Sequence, residues 1–365
     1  MADIDLPRII NAAGQMSALG GSNSPPELVE AITRAVVGAI TRPVEIARLK
    51  DLASAAIAEA TGAEAGAVTT GAAAALALSV AGCVAGTNPE AVGALPFWIP
   101  RRVVLQSGHD INFGAQVTQM IGLGGGAPAI AGSHERVTED DVAEALPGAA
   151  AFVYVQSHHV RAPGALPLAR CVALAHEQDV PVIVDAAAEE DLGAYVAMGA
   201  DLVCYSGGKA LGGLSSSGFV AGRAGLIEAV RAQDRGIGRP MKVAQEQIIS
   251  VILALRAYGA GRDTSNVSVL EALARACRDL EGIESSIVED EVRPAIRRVE
   301  VRSPCALRLV RALREGTPPI FVRAHHVEAG RFAFDVRNLA PEDVPLIAEA
   351  LRRAVTTLDG SPGGA

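Results

Sequence analysis

The chain contains three lysines, Lys50, Lys209 and Lys242, against 29 arginines. A lysine can lose its proton when buried and then act as a nucleophile or form a Schiff base with a carbonyl; an arginine does neither. Lys50 sits beside Asp51 in an amphipathic stretch and reads as a solvated charge. Lys209 is different. It follows an apolar run ending in Ser206-Gly207-Gly208 and is trailed by Gly212, Gly213 and three serines. Glycines let the backbone come close to a bound molecule. Alone, Lys209 fits a Schiff-base former or a lysine on a glycine-rich turn.

Asp185 narrows the choice. It ends the apolar run Val182-Ile183-Val184, 24 residues before Lys209. A carboxylate there can hold a proton on the ring nitrogen of pyridoxal phosphate (PLP), whose pyridinium draws electrons from the carbon next to an amine. Asp185 taken singly also suits a helix cap. A third element, Thr69-Thr70-Gly71-Ala72, leads into an alanine-rich helix whose free N–H groups suit a phosphate, or simply an N-cap. Ser206 adds a hydroxyl to the same task.

The elements that must position these residues follow from the pattern of apolar runs. Val103–Leu105, Ala151–Val155, Val180–Val184, Asp201–Ser206 and Gly218–Gly222 read as strands, with helical stretches such as Pro167–Gln178 between several of them. Continuous apolar strands alternating with helices predict an α/β fold: a mostly parallel central sheet with helices on both faces. The polar residues follow the C-terminal ends of these strands, the edge where such sheets bind ligands. Helices are predicted from Ser24 to Ile40 and from Pro43 to Thr61, ending at Gly62. The uncharged stretch Gly66–Gly86 reads as a buried helix, and a long helix is predicted over Val243–Tyr258. A hairpin from Ile320 to Val336, a helix from Pro341 to Val355 and a frayed tail from Gly360 complete the chain. The expected division is 1–55 as an N-terminal arm with helices, 56–245 as the cofactor-binding domain and 246–365 as a smaller C-terminal α+β domain.

With 365 residues and 50% hydrophobic composition the chain can bury a large core, yet aromatics are only 3%. Small aliphatic residues must therefore do most of the packing. A net charge of −9 and no basic run argue against a nucleic-acid partner. Five cysteines without paired spacing imply reduced thiols, a cytoplasmic setting and no zinc. Neither an export signal nor a membrane span is read.

These motifs together resemble a known family. Thr61-Gly62-Ala63-Glu64-Ala65, Val68 to Leu76, Val184 to Glu189, Ser206 to Ala210 and Gly236 to Lys242 are similar to the fold type I PLP-dependent enzymes of the selenocysteine-synthase-like group, which includes ammonia lyases and selenium transferases. The resemblance covers most of residues 8–260 in order and implies a transferase-like fold type I architecture. It implies Lys209 as the Schiff-base lysine, Asp185 as partner of the pyridine nitrogen and Ala187 beneath the ring. It implies Thr70, Gly71, Ala72 and Ser206 as the phosphate cup. His109 would lie over the ring, and Arg239 and Lys242 near the phosphate, reaching across the interface of a homodimer or higher even oligomer. Three features depart from the ammonia-lyase pattern: Leu211-Gly212-Gly213-Leu214 replaces Arg-Gly-Pro, Thr41-Arg42-Pro43-Val44-Glu45 stands where relatives often have an Asp-containing segment, and Glu190-Asp191 replaces Leu-Pro-Pro.

The resemblance implies a small amino acid or amino sugar acid as substrate. The expected reaction is a lyase reaction: α-proton abstraction by the freed Lys209 amine, then β-elimination and release of ammonia. Racemisation, transamination, or a non-catalytic binding role on the same fold remain the alternatives. Arg323, Arg337 and His158 are candidates for substrate binding, the arginines for a carboxylate. The Ser206-Gly-Gly-Lys209 spacing also fits an acyl-serine hydrolase, but no lysine is followed by the Thr-Gly that class needs.

Overall fold

The computed structural model describes residues 4–157, 160, 164–260, 266–290 and 295–359. Its strands, in chain order, are β1 (Ile10–Ala12), β2 (Ala65–Thr69), β3 (Arg101–Gln106), β4 (Gly126–Ala131), β5 (Ala151–Val155) and β6 (Val182–Asp185). They continue with β7 (Leu202–Ser206), β8 (Gly218–Gly222), β9 (Glu284–Glu289), β10 (Arg297–Arg302), β11 (Ile320–Val322) and β12 (Arg331–Asp335). The chain forms two compact units, residues 24–262 and residues 1–23 with 263–365. The expected segments were cut instead at 55/56 and 245/246. Helix Gln245–Gly259 packs on helices Pro26–Thr41 and Ile46–Thr61, which groups all three with the larger unit.

The larger unit is built on a seven-stranded sheet in the order β2-β8-β7-β6-β5-β3-β4. Strands β4, β3, β5, β6 and β7 run parallel, whereas β8 is antiparallel to both its neighbours, β7 and β2. Apolar clusters cover both faces. Phe152, Val184 and Tyr205 point into one, and Leu105, Val153, Ile183 and Cys204 into the other. The uninterrupted apolar strands are thus buried on both sides, as a parallel sheet requires.

The shortage of aromatics is met by close approach. A Cβ on Gly66 would overlap the Ile57 side chain, and one on Gly82 would lie 3.0 Å from the backbone nitrogen of Val230. The stretch read as one buried helix from Gly66 to Gly86 divides into strand β2 and helix Ala72–Ala85. The break falls at Gly71, whose φ of +154° disfavours a side chain. Composition alone concealed this, because alanine and glycine serve a buried strand and a buried helix alike. Strand β4 was not anticipated; its Gly-Ala-Pro-Ala-Ile-Ala sequence has little β-branched character. No helix among the described residues is long and apolar enough to cross a membrane.

The smaller unit carries the antiparallel sheet β12-β10-β9 and the parallel pair β1-β11. Val299, Val301, Phe332 and Phe334 pack with helices Val267–Arg278, Ala306–Glu315 and Asp343–Asp359. The hairpin expectation meets an antiparallel bridge between Arg323 and Ala333. The other face of this sheet holds Asp335, fully buried. Arg337 grips its carboxylate at 2.9 Å through both Nε and Nη2, and Arg298 Nε adds a bond of 3.1 Å. Burial would raise the Asp335 pKa, but these hydrogen bonds and charges hold it down at about 2. The tail from Gly360 lies outside the described residues.

Removing this carboxylate strands buried guanidinium groups. Asp335→Asn is expected to cost about 3–5 kcal/mol of stability, read from the denaturant midpoint. In the wild type, the contribution of Asp335 is present above the unfolded pKa near 3.8 and fades as pH falls toward about 2. An Asn variant as stable as wild type at pH 7 would show that the network is not under load.

Candidate active site

Hydrogen-bonded registry places the singled-out residues along one edge of the large sheet. Thr69 pairs with Gly218, and Gly218 pairs with Ser206. Asp185 pairs with Cys204 on one side and with Val155 on the other. His109 follows β3, and its Nδ1 accepts the Val155 N–H at 3.0 Å. The C-terminal ends of β2, β3, β5, β6 and β7 therefore bring Thr70, His109, Asp185, Ser206 and Lys209 to the same edge.

Asp185 is buried, and its pKa is pushed up to about 6. Desolvation is the main cause, while the nearby charge of Lys209 and a hydrogen bond from Ala187 N (3.2 Å) act in the opposite direction. Among the described residues this is the carboxylate's one hydrogen bond. A buried carboxylate so poorly supplied with donors suits a cationic ring N–H. Ala187 is tied into the same corner, because its carbonyl accepts the Ser206 N–H at 3.2 Å.

The loop that carries Lys209 has little room for side chains. A Cβ on Gly207 would lie 2.3 Å from Ser217 Oγ, and one on Gly208 would lie 2.4 Å from Ser215 Cα. Gly213 N donates to Gly207 O at 2.8 Å, and Leu214 N donates to Ser250 Oγ at 2.8 Å. The loop thus folds back on itself and leaves Lys209 half-buried. The glycines flanking Lys209 in sequence have a steric cause.

The expected phosphate cup meets an uncapped helix start. Helix Ala72–Ala85 starts after Gly71 with no side-chain cap, so its first amides are available to an anion. The Thr69 hydroxyl donates to Gly71 O at 2.9 Å and fixes the turn. No atom lies within 4 Å of a Cβ built on Gly71, so open space faces the helix start. Gly218 has no such freedom, since a Cβ there would come within 2.7 Å of the Gly71 and Tyr205 backbones. These residues fit a phosphorylated aromatic aldehyde: an anion cradle, a lysine, and a buried carboxylate for a ring nitrogen.

His109 is buried, and desolvation lowers its pKa to about 4. It is therefore neutral at pH 7. With Nδ1 accepting from Val155, its proton sits on Nε2. The ring meets Tyr154 edge-on at 4.6 Å. Sequence reasoning passed over Gln106. Its carboxamide pairs with the Leu166 backbone in both directions, at 2.8 and 3.0 Å, and its Nε2 lies 3.3 Å from His109 Nε2. A polar side chain ending the apolar run Val103-Val104-Leu105 was the available signal. Arg239 and Lys242 are exposed at the 3-10 turn Arg239–Met241. Arg323 and Arg337 belong to the smaller unit. His158 lies outside the described residues.

Because burial raises the Asp185 pKa, its ionisation works against the cofactor-free fold as pH climbs from about 4 to about 6. Asp185→Asn is therefore expected to stabilise the cofactor-free protein at pH 7.5 by on the order of 2–3 kcal/mol. The gain should shrink toward pH 5, and PLP affinity should drop. Calorimetric melting of both proteins across that range is the check, and a pH-independent difference would contradict the assignment.

No family model matches the sequence. The chain is 36% identical to D-glucosaminate-6-phosphate ammonia lyase of Salmonella typhimurium, over 96% of each chain. It is 37% identical to a 5'-C-glycyluridine monooxygenase-decarboxylase of a Streptomyces species, over 98% of this chain and 92% of the relative. A solved structure of D-glucosaminate-6-phosphate ammonia-lyase superposes with a TM-score of 0.90 at 35% identity, covering 96% of each chain. A serine palmitoyltransferase from S. paucimobilis with bound PLP shares the fold at a TM-score of 0.57 and 16% identity, over 96% of this chain and 88% of that one. The protein is a PLP-dependent enzyme of lyase type, and the chain belongs to the fold type I family that contains D-glucosaminate-6-phosphate ammonia lyase.

Proposed function

We propose that the enzyme is an ammonia lyase for a 2-amino acid whose side chain is a polyol or sugar, with a hydroxyl on the carbon next to the amine-bearing one. The observation that carries the chemistry is the buried Asp185 beside Lys209 at the sheet edge. The substrate class is supported by the relatives, since a glucosaminate and a glycyluridine are each an amino acid built onto a sugar skeleton.

PLP, when bound, supplies an electron sink for the carbanion left by α-proton removal. Lys209 would hold the cofactor through its Nζ, and the same amine would take the substrate's α-proton. Asp185 would keep a proton on the ring nitrogen, and Ala187 would lie against the ring. Thr70, Ser206 and the amides of Gly71 and Ala72 would take the phosphate. His109 would cover the ring; with its Nδ1 lone pair taken by the Val155 N–H and its pKa lowered by burial, it is no general base at pH 7. The hydroxyl leaves as water, water returns to hydrolyse the enamine, and the net products are one ammonia and one 2-oxo acid with a CH2 where the hydroxyl was.

A homodimer or higher even oligomer is part of this proposal. Exposed apolar side chains on the first two helices, Val37 (54%), Ile40 (65%) and Leu52 (60%), support it. Arg239 and Lys242 would serve a phosphate site across that interface. A cytoplasmic setting is proposed from the five cysteines, all of them free thiols. A second reading, oxidative decarboxylation, is supported by the 37% identity to the Streptomyces relative.

The test pairs wild type with Lys209→Ala, each mixed with PLP. The visible Schiff-base band is expected in wild type and absent from the variant. D-glucosaminate 6-phosphate and 5'-C-glycyluridine are then supplied while ammonia, 2-oxo acid, oxygen and carbon dioxide are followed. Ammonia and 2-oxo acid without oxygen uptake is the expected outcome. Oxygen uptake with carbon dioxide release would replace the lyase reading by the oxidative one, and a wild type without the band would remove Lys209 as anchor.

A further inference from the structure

Gln106 is fully buried at the end of β3, and the chemistry proposed for Lys209 and Asp185 makes no use of it. Alternation along β3 puts its side chain on the face of Val104, which packs with Phe152 and with helix Leu168–His176. A carboxamide in so apolar a setting must find partners. Gln106 finds them on one residue. Its Oε1 accepts the Leu166 N–H at 2.8 Å, and its Nε2 donates to Leu166 O at 3.0 Å. The amide cannot be turned over, because each end would then meet its like on the Leu166 backbone.

This fixed orientation turns the amino end of Gln106 toward His109, with Nε2 3.3 Å from His109 Nε2. Cys171 Sγ, at 3.6 Å, can take its second hydrogen. On the other side of the imidazole, the Val155 N–H donates to Nδ1 at 3.0 Å. Both ring nitrogens therefore face nitrogen donors, and neither donor can be reversed. A neutral imidazole offers one lone pair, and the shorter contact takes it at Nδ1. An imidazolium would set N–H against N–H at both positions. The T-shaped contact with Tyr154 holds the ring plane between the two donors. The titratable groups at this corner are Tyr154 of β5 and Cys171 of helix Leu168–His176. Burial raises both pKas, to about 12 for Cys171, so both are uncharged at pH 7. Asp110, next to His109 in the chain, is turned to Thr118, accepting its N–H at 2.9 Å and its hydroxyl at 3.1 Å. Among the described residues no carboxylate pairs with His109, and desolvation alone accounts for its low pKa.

We propose that Gln106 is a positioning residue: its amide, locked by the Leu166 backbone, keeps a second proton off His109 and holds the ring in one neutral form between itself and Val155. Desolvation of His109 acts in the same direction. One consequence rests on the PLP reading. A neutral imidazole can lie against a cationic cofactor ring, whereas an imidazolium would be repelled by it.

The test needs no turnover. Full-length protein carrying nitrogen-15-labelled histidine is followed by NMR from about pH 8 to about pH 5.5, without PLP and then with it. His109 is assigned from the signals missing in His109→Asn. In the wild type without PLP, His109 is expected to stay neutral over this range with its proton on Nε2. Gln106→Met removes the donor and should raise the His109 midpoint by about one pH unit. Gln106→Glu sets an oxygen in its place and should raise the midpoint by about two units, the scale of an added opposite charge. A residue that merely ties β3 to Leu166 would lower Tm in both variants and leave His109 unmoved, and that result overturns the proposal. A wild-type His109 that titrates within the range, or carries its proton on Nδ1, overturns it as well and requires no variant to fold. The visible Schiff-base band is read on the same samples. Its absence beside the expected His109 series would remove the cofactor reading alone, and its presence beside an unmoved His109 would remove the role of Gln106 alone.

Discussion

A single carboxylate sets the terms for the larger unit. Asp185 ends a strand flanked by two others and is removed from water, so its negative charge lacks the solvation an aspartate normally enjoys. Its pKa near 6 expresses that deficit. The nearby charge of Lys209 relieves part of it, and a protonated ring nitrogen would relieve more. The fold therefore holds a group in an unfavourable state without its cofactor, and this links stability to the chemistry of the site.

Asp335 in the smaller unit shows the opposite solution to the same problem. It is also buried, yet two arginines surround it and its pKa falls to about 2. Burial without partners raises an aspartate; burial among guanidinium groups lowers it. The first arrangement leaves a carboxylate demanding a ligand, and the second locks a sheet face in place. The residue type is identical, and only the neighbours supplied by the fold distinguish a reactive position from a structural one.

Close packing makes the active edge possible. Gly207, Gly208, Gly213 and Gly218 stand where a Cβ would strike backbone or a neighbouring serine. They draw the lysine loop, the helix start at Gly71 and strand β8 into one corner. The catalytic chemistry of two relatives diverges although their identities to this chain are 36% and 37%.

The sequence alone determined the α/β class and the main strands, because strands buried on both faces must be continuously apolar, and the parallel β5, β6 and β7 and the antiparallel β8 are. It also singled out Lys209, rare by type, and Asp185 and Ser206, which the structure places at strand ends on one sheet edge. It missed β4 and merged β2 with the following helix, because alanine and glycine carry no preference strong enough to separate buried strand from buried helix. Gln106 was likewise invisible, as its importance lies in contacts with Leu166 and His109, 60 and 3 residues away. Only the tertiary structure decided that Arg337 is held by Asp335. Pairing of charges is a matter of which side chains share a sheet face, and register between β10, β12 and the Arg323 segment is set by packing across the whole unit.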